Sequence, residues 1–172
     1  GILKQARSEV SAISNAISRF EPVTMFTQPN HVDAALQTVS KDVAVRPLNA
    51  NHLWVRDTGP IFVHGAHDDS SSGLKLRFNY WGSKISSDGD ETVAADIIDA
   101  MATTVTGRER EATTAASDIS SQSQETSKGI TAVDAGFTSE GGAIEVDGLG
   151  TLLATESSII NSNRNPLIPK AG

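Results

Sequence analysis

The sequence predicts an α/β fold, and three observations carry that prediction. Helix-like and strand-like apolar spacings alternate over the first 47 residues, in the order helix, strand, helix, strand. A further helical period, at Val93, Ile97, Ile98 and Met101, lies between strand-like stretches. Near the end, Asp147-Gly148 separates two short apolar runs, a hairpin signal because turn positions there favour positive φ.

Taken in order, Leu3, Ala6, Val10, Ile13, Ile17 and Phe20 recur at intervals of three and four, which predicts an amphipathic helix over 2–20. Pro22 follows, and Val23 to Phe26 reads as a buried strand. Asn30 suits the N-cap of a second helix with Val32, Ala35, Leu36 and Val39 on one face. Val43-Ala44-Val45 reads as a strand ended by Pro47. Pro60 to His64 and Leu74 to Tyr80 are read as strands joined by a turn-rich stretch, Gly65 to Gly73. The acidic run Asp88-Gly89-Asp90-Glu91 suits the start of the helix that follows. Residues 107–128 are rich in Ser, Thr and Gln with almost no large apolar side chain, and are read as a surface insertion. Val133 to Phe137 resumes strand-like character, Ala143 to Val146 and Thr151 to Thr155 flank the hairpin turn, and Asn161 to Pro169 is irregular.

At 172 residues the chain corresponds to one domain with a real core. Fourteen basic against twenty-one acidic residues give a net charge of −7, which argues against nucleic acid or an anionic membrane as partner and is compatible with a cationic small substrate. Without cysteine there is no disulfide, no thiolate zinc site and no cysteine nucleophile within these residues. No apolar run approaches the roughly 20 residues of a membrane span, and no signal peptide opens the chain. Because it starts at Gly1 without Met, the chain is read as a fragment.

Two segments concentrate chemistry. Trp54-Val55-Arg56-Asp57-Thr58-Gly59-Pro60 packs an aromatic, a guanidinium and a carboxylate where an extended segment reaches a Gly-Pro turn; the competing reading is a local Arg56–Asp57 ion pair beside a core Trp. Ser139-Glu140-Gly141-Gly142 combines a carboxylate with glycines that permit close backbone approach; the competing reading is a bulge entering the hairpin. Gly148-Leu149-Gly150 is not a dinucleotide fingerprint, since no helix is read after it. His64, His67, Asp68 and Asp69 have a spacing that could hold a metal, although solvated turn residues account for them as well.

In order along the chain, Phe20-Glu21-Pro22-Val23-Thr24-Met25, Trp54 to Pro60 with Phe62-Val63, Phe78-Asn79-Tyr80-Trp81-Gly82, Glu140-Gly141-Gly142, Val146-Asp147-Gly148, Gly150 to Leu153, Thr155-Glu156 and Asn163-Arg164-Asn165-Pro166 resemble the agmatine deiminase family, also called the Porphyromonas-type peptidyl-arginine deiminases. The resemblance implies a pentein-type α/β propeller of ββαβ modules around a central site, here as an incomplete portion of the ring spanning 1–172. It implies an amidine hydrolase needing no cofactor and no metal: a thiolate attacks the guanidinium carbon, a His protonates the departing ammonia, and water hydrolyses the amidino-thioether. By position, Asp57 matches the guanidinium-binding Asp, Glu140 the Glu that supports the catalytic His, and Trp54 a wall of the substrate slot. Arg56 and Arg164 are assigned structural work. The expected partner is a small guanidinium substrate, agmatine or peptidyl-arginine, in a cytoplasmic enzyme of putrescine biosynthesis.

The departures from the pattern matter equally. The family's Cys and His-x-Asp pair, its opening strand and its Trp-Pro motif have no counterpart here, and His52 stands where the family usually has Asp. A partial ring leaves unpaired strand edges, so a missing C-terminal half or a homo-oligomer is expected. By itself the chain is expected to be inactive. A non-catalytic guanidinium-binding or protein-interaction fragment is the alternative. A metal-dependent hydrolase using His64, His67 and Asp68 is a third reading, separated from the first by chelator against thiol alkylation.

Overall fold

A computed structural model describes residues 1–65, 70–102 and 129–169, and the chain forms two compact units, Gly1–Leu53 and Trp54–Gly172. The insertion expected at 107–128 lies outside the described residues.

In the first unit, helix α1 (Ile2–Ile17) leads to strand β1 (Val23–Thr27). A 3₁₀ turn, Pro29–His31, and the short helix α2 (Val32–Leu36) then carry the chain across to strand β2 (Val43–Pro47). The strands pair in parallel, Val23 opposite Val43 and Thr27 opposite Pro47, as a helical crossover requires. Asn30 does not cap α2: Pro29 starts the backbone rotation early, Asn30 lies inside the 3₁₀ turn, and His31 takes the cap position without a side-chain bond. Strand β1 is half-buried rather than buried.

The expected apolar face of α1 is only partly used. The helix ends at Ile17, short of the expected residue 20, so Phe20 lies outside it and is 90% exposed; within the helix Ile13 is 59% exposed, while Ser11 and Ser14 are buried. Hydrogen bonding explains the rotation. Ser11 Oγ donates to Thr38 Oγ1 at 2.9 Å, and Asn15 Oδ1 accepts from the Ser40 N–H at 2.6 Å, so the polar flank of α1 is stitched to the chain after α2.

The second unit opens with the single helical turn α3 (Val55–Thr58) and strands β3 (Ile61–His64) and β4 (Ser71–Lys75). A turn α4 (Tyr80–Ser83), a 3₁₀ turn Asp90–Thr92 and helix α5 over 93–102 follow, then strand β5 (Thr131–Asp134). Strand β4 is central, antiparallel to β3 and parallel to β5. A 3₁₀ turn, Gly141–Ala143, enters the hairpin of β6 (Ile144–Val146) and β7 (Leu152–Ala154), and α6 (Glu156–Ile159) precedes the irregular tail. Val93, Ala94, Ile97 and Ile98 of α5 are buried, as are Leu76 and Phe78.

Strand β4 begins three residues before the expected Leu74 and stops well short of Tyr80. Pairing on both edges, with Ser72 opposite Val63 and Thr131, overrides the turn preference of Ser and Gly. Gly73 fits because a Cβ there would lie 2.5 Å from Ile98 Cδ1, so the strand meets α5 at backbone distance. Strand β5 likewise starts two residues before the expected Val133 and ends at Asp134, three short of Phe137. The hairpin is present, but its loop spans 147–151 instead of a two-residue turn: Asp147 Oδ1 accepts from the N–H groups of Leu149 (2.8 Å) and Thr151 (3.0 Å), with Gly148 and Gly150 at positive φ. Those bonds, Leu149's foremost, hold the Asp147 carboxyl below its ordinary range. Among the described residues no helix is long and apolar enough to cross a membrane.

Candidate functional site

The segment from Trp54 to Pro60 is a helical turn where an extended chain was expected. The N–H groups of Asp57 and Thr58 both donate to the Trp54 carbonyl, at 2.9 and 3.0 Å, and Gly59 N–H donates to Val55 O at 2.8 Å. Thr58 is buried and its hydroxyl adds a bond to the same Trp54 carbonyl at 3.2 Å. Pro60 ends the turn, since the residue before proline is driven to extended backbone; Gly59 has φ −81° and ψ 171°.

That turn presents Asp57 to two other parts of the chain. Its Oδ1 accepts the Gly142 N–H at 2.9 Å, and its Oδ2 accepts the Trp81 indole N–H at 3.1 Å. A carboxylate offers about four lone-pair directions, two on each oxygen, so each oxygen retains acceptor capacity after both bonds form. The paired glycines are explained by contact: a Cβ on Gly142 would strike Asp57 Oδ1, and one on Gly141 would strike the Arg56 carbonyl. Glu140 thus precedes a 3₁₀ turn, Gly141–Ala143, laid against α3, which leads into β6 without a bulge.

The competing reading of Trp54 to Pro60 does not hold. Arg56 reaches Glu145 at 2.9 Å and the Ile144 carbonyl at 3.2 Å, giving it a structural role on the hairpin, and it is not the partner of Asp57. Trp54 is 58% exposed and therefore no core residue.

Glu140 is buried and ion-paired with Arg164, whose side chain is equally enclosed. The tail that carries Arg164 is anchored by Asn165: its Oδ1 accepts from Thr138 N–H at 2.7 Å, and its Nδ2 donates to Thr138 O and Ile159 O, each at 2.8 Å. Two residues earlier, Asn163 Nδ2 donates to the Gly82 carbonyl at 2.8 Å. The irregular tail therefore braces both candidate carboxylates, Glu140 directly and Asp57 by way of the Trp81 turn. Trp81 and Asn163 were noted in the sequence as motif residues without a role. No local signal reveals one, because their partners lie 24 and 81 positions away.

Next to the site, the Tyr80 hydroxyl accepts the N–H groups of Asp88, Gly89 and Asp90, each at 2.9 Å, and donates to Glu91. That donation is the main reason the Glu91 carboxyl lies below its ordinary range. Of the histidine cluster, His64 Nδ1 is 3.1 Å from Ser71 Oγ across the β3–β4 pair. His67, Asp68 and Asp69 lie outside the described residues.

The family model for Porphyromonas-type peptidyl-arginine deiminases matches residues 1–172. An agmatine deiminase of Pseudomonas savastanoi pv. phaseolicola is 33% identical over 164 residues, covering 95% of this chain and 39% of that protein. One of Pseudomonas aeruginosa is 32% identical over 169 residues, covering 98% and 40%. The chain thus spans about 40% of the length of these curated relatives. Among solved structures, the agmatine deiminase of Enterococcus faecalis superposes with a TM-score of 0.72 at 26% identity, over 97% of this chain and 40% of that one. The substrate-bound agmatine deiminase of C. jejuni, at 21% identity, shares the fold with a TM-score of 0.69 over 98% and 42%.

Proposed function

The chain belongs to the Porphyromonas-type peptidyl-arginine deiminase family, and from that premise we propose that it is the substrate-gripping part of an amidine hydrolase that converts a guanidinium to a ureido group with release of ammonia. The observation that carries this reading is the meeting of Asp57 with Gly142, which joins two motifs far apart in sequence around one carboxylate. A planar guanidinium fits such a group, because a carboxylate edge accepts two parallel N–H bonds and orients the plane. Asp57 then holds the substrate, Trp54 walls the slot, and Glu140, fixed by Arg164, supports the catalytic His. The net charge of −7 favours a cationic substrate.

The nucleophilic thiolate and the His are contributed by residues beyond this chain, which contains no cysteine. The thiolate adds to the guanidinium carbon, the C–N bond breaks as ammonia leaves with a proton from His, and water then cleaves the amidino-thioether with His as base. With agmatine the product is N-carbamoylputrescine, in a cytoplasmic route to putrescine. The order β3–β4–α5–β5, with β4 antiparallel to β3 and parallel to β5, supports a ββαβ unit of a pentein ring.

Ammonia release from agmatine and from a peptidyl-arginine by the full-length protein tests this reading. Turnover that is abolished by thiol alkylation and indifferent to chelator is expected, with none from the 172-residue chain alone. Chelator-sensitive, alkylation-resistant activity would overturn it in favour of a metal hydrolase. Guanidinium binding without turnover by the full-length protein would establish the non-catalytic alternative.

A further inference from the structure

The turn from Tyr80 to Ser83 has an unusual backbone. Tyr80, Trp81, Gly82 and Ser83 take φ values of 57°, 57°, 82° and 60°, so four residues in succession, three of them with a Cβ, have positive φ. Such residues avoid that region unless neighbouring contacts impose it. The imposing contacts are explicit. Asn79 Oδ1 accepts the Gly82 N–H at 2.9 Å, Asn79 Nδ2 donates to the Asn163 carbonyl at 2.8 Å, and Asn163 Nδ2 donates to the Gly82 carbonyl at 2.8 Å. Gly82 is packed so tightly on Asn163 that a Cβ would lie 2.5 Å from its Nδ2.

The product of this turn is the aim of one side chain. The Trp81 ring stands edge-on to Phe78, with centroids 5.1 Å apart and planes at 89°, and its N–H is delivered to Asp57 Oδ2. An indole carries a single N–H, so it takes one acceptor site of the carboxylate and leaves the others for a guanidinium.

We propose that Trp81 is a positioning residue: the left-handed turn locked by Asn79 and Asn163 aims its indole N–H at Asp57 and fixes the carboxylate rotamer that receives the guanidinium. This rests on the reading of Asp57 as the substrate's anchor. With Gly142 N–H on one oxygen and Trp81 N–H on the other, the carboxylate cannot turn about its side-chain torsions without losing a bond. When one tether is removed, the competent rotamer becomes one of several, and apparent affinity falls by its population. Because the tether acts before chemistry and during it alike, KM changes more than kcat.

The test uses the full-length protein with agmatine as substrate. Trp81→Phe keeps an aromatic ring beside Phe78 while removing the donor and part of the indole; KM should rise about tenfold or more, with kcat changed far less. Asn163→Asp, which removes the donor to Gly82, should shift KM in the same direction and serves if Trp81→Phe does not fold. In heteronuclear NMR the indole N–H resonance lost in Trp81→Phe should move in Asp57→Asn. A parent enzyme that turns over agmatine, with KM unchanged in Trp81→Phe, overturns this inference and leaves the deiminase reading standing. An indole resonance indifferent to Asp57→Asn overturns it whatever the activity. A full-length protein that neither binds nor turns over guanidinium compounds overturns the deiminase reading, and this inference falls with it.

Discussion

Arg164 donates to Glu140 Oε2 where both side chains are only 8% exposed, so the best-enclosed carboxylate of the candidate site is neutralised from the irregular tail. Two charges taken out of water depend on each other: attraction and hydrogen bonding offset desolvation only while both are present. Arg164→Met should therefore destabilise the protein by about 3–5 kcal/mol in denaturant melts, because it strands a buried carboxylate. Adding Glu140→Gln in the same protein should recover most of that loss. Equal stability of the single and double variants would show that the pair is not what holds the tail.

Asp57→Asn keeps the volume of the side chain and its carbonyl acceptor but removes the charge. The amide nitrogen also has only donors to offer where one of the Gly142 or Trp81 N–H groups now donates. A charge-assisted bond contributes about 1.5–3 kcal/mol, and two such bonds to the substrate are at stake. The kcat/KM of the full-length enzyme for agmatine should fall by two orders of magnitude or more, measured by ammonia release. A rate within threefold of the parent would remove Asp57 from the site.

What was readable in the sequence follows the range over which each determinant acts. The helix at 93–102 was legible because Val93, Ile97 and Ile98 repeat locally and are buried together. Asp57 is legible as a candidate because it shares a short segment with Trp54 and Arg56 at a Gly-Pro turn, and Glu140 because it precedes paired glycines that permit close approach. Strand β4 was placed too late because its Ser71-Ser72-Gly73 start is dictated by partners on both sides, information absent from the segment itself. The sequence of Trp54 to Pro60 reads as extended chain reaching a turn because a single helical turn leaves no period to detect. Trp81 has no role legible in its own segment: no propensity favours four left-handed residues in a row, and the turn depends on Asn79 being joined by Asn163, far downstream.

Gly141 and Gly142 should respond differently to the same substitution. In Gly141→Ala the new methyl meets the Arg56 carbonyl, which is backbone and cannot yield, so stability should drop by about 1–3 kcal/mol. In Gly142→Ala it meets the Asp57 carboxylate, a side chain that can rotate away. Stability should fall less there, while KM for agmatine rises because Asp57 is displaced. Thermal melts and steady-state kinetics on both variants check this, and a reversed order would mean that the α3 turn, and not the Asp57 side chain, is the softer partner.

The Tyr80–Glu91 bond sets the sign of a pH dependence. Tyr80 donates to the Glu91 carboxylate and thereby lowers its pKa in the folded protein below the ordinary glutamate value. A carboxyl depressed on folding adds stability above its unfolded pKa, and that contribution disappears as pH falls through the folded value. Tyr80→Phe removes the donor to Glu91 along with the acceptor for three N–H groups, and only the first loss is linked to protons. The destabilisation by Tyr80→Phe should therefore be larger at pH 7 than below the glutamate range, converging on a residue that reflects the three orphaned N–H groups. In a Glu91→Gln background the penalty should be the same at both pH values. A penalty that grows on acidification would reverse the sign and show that Glu91 is bonded in its protonated form.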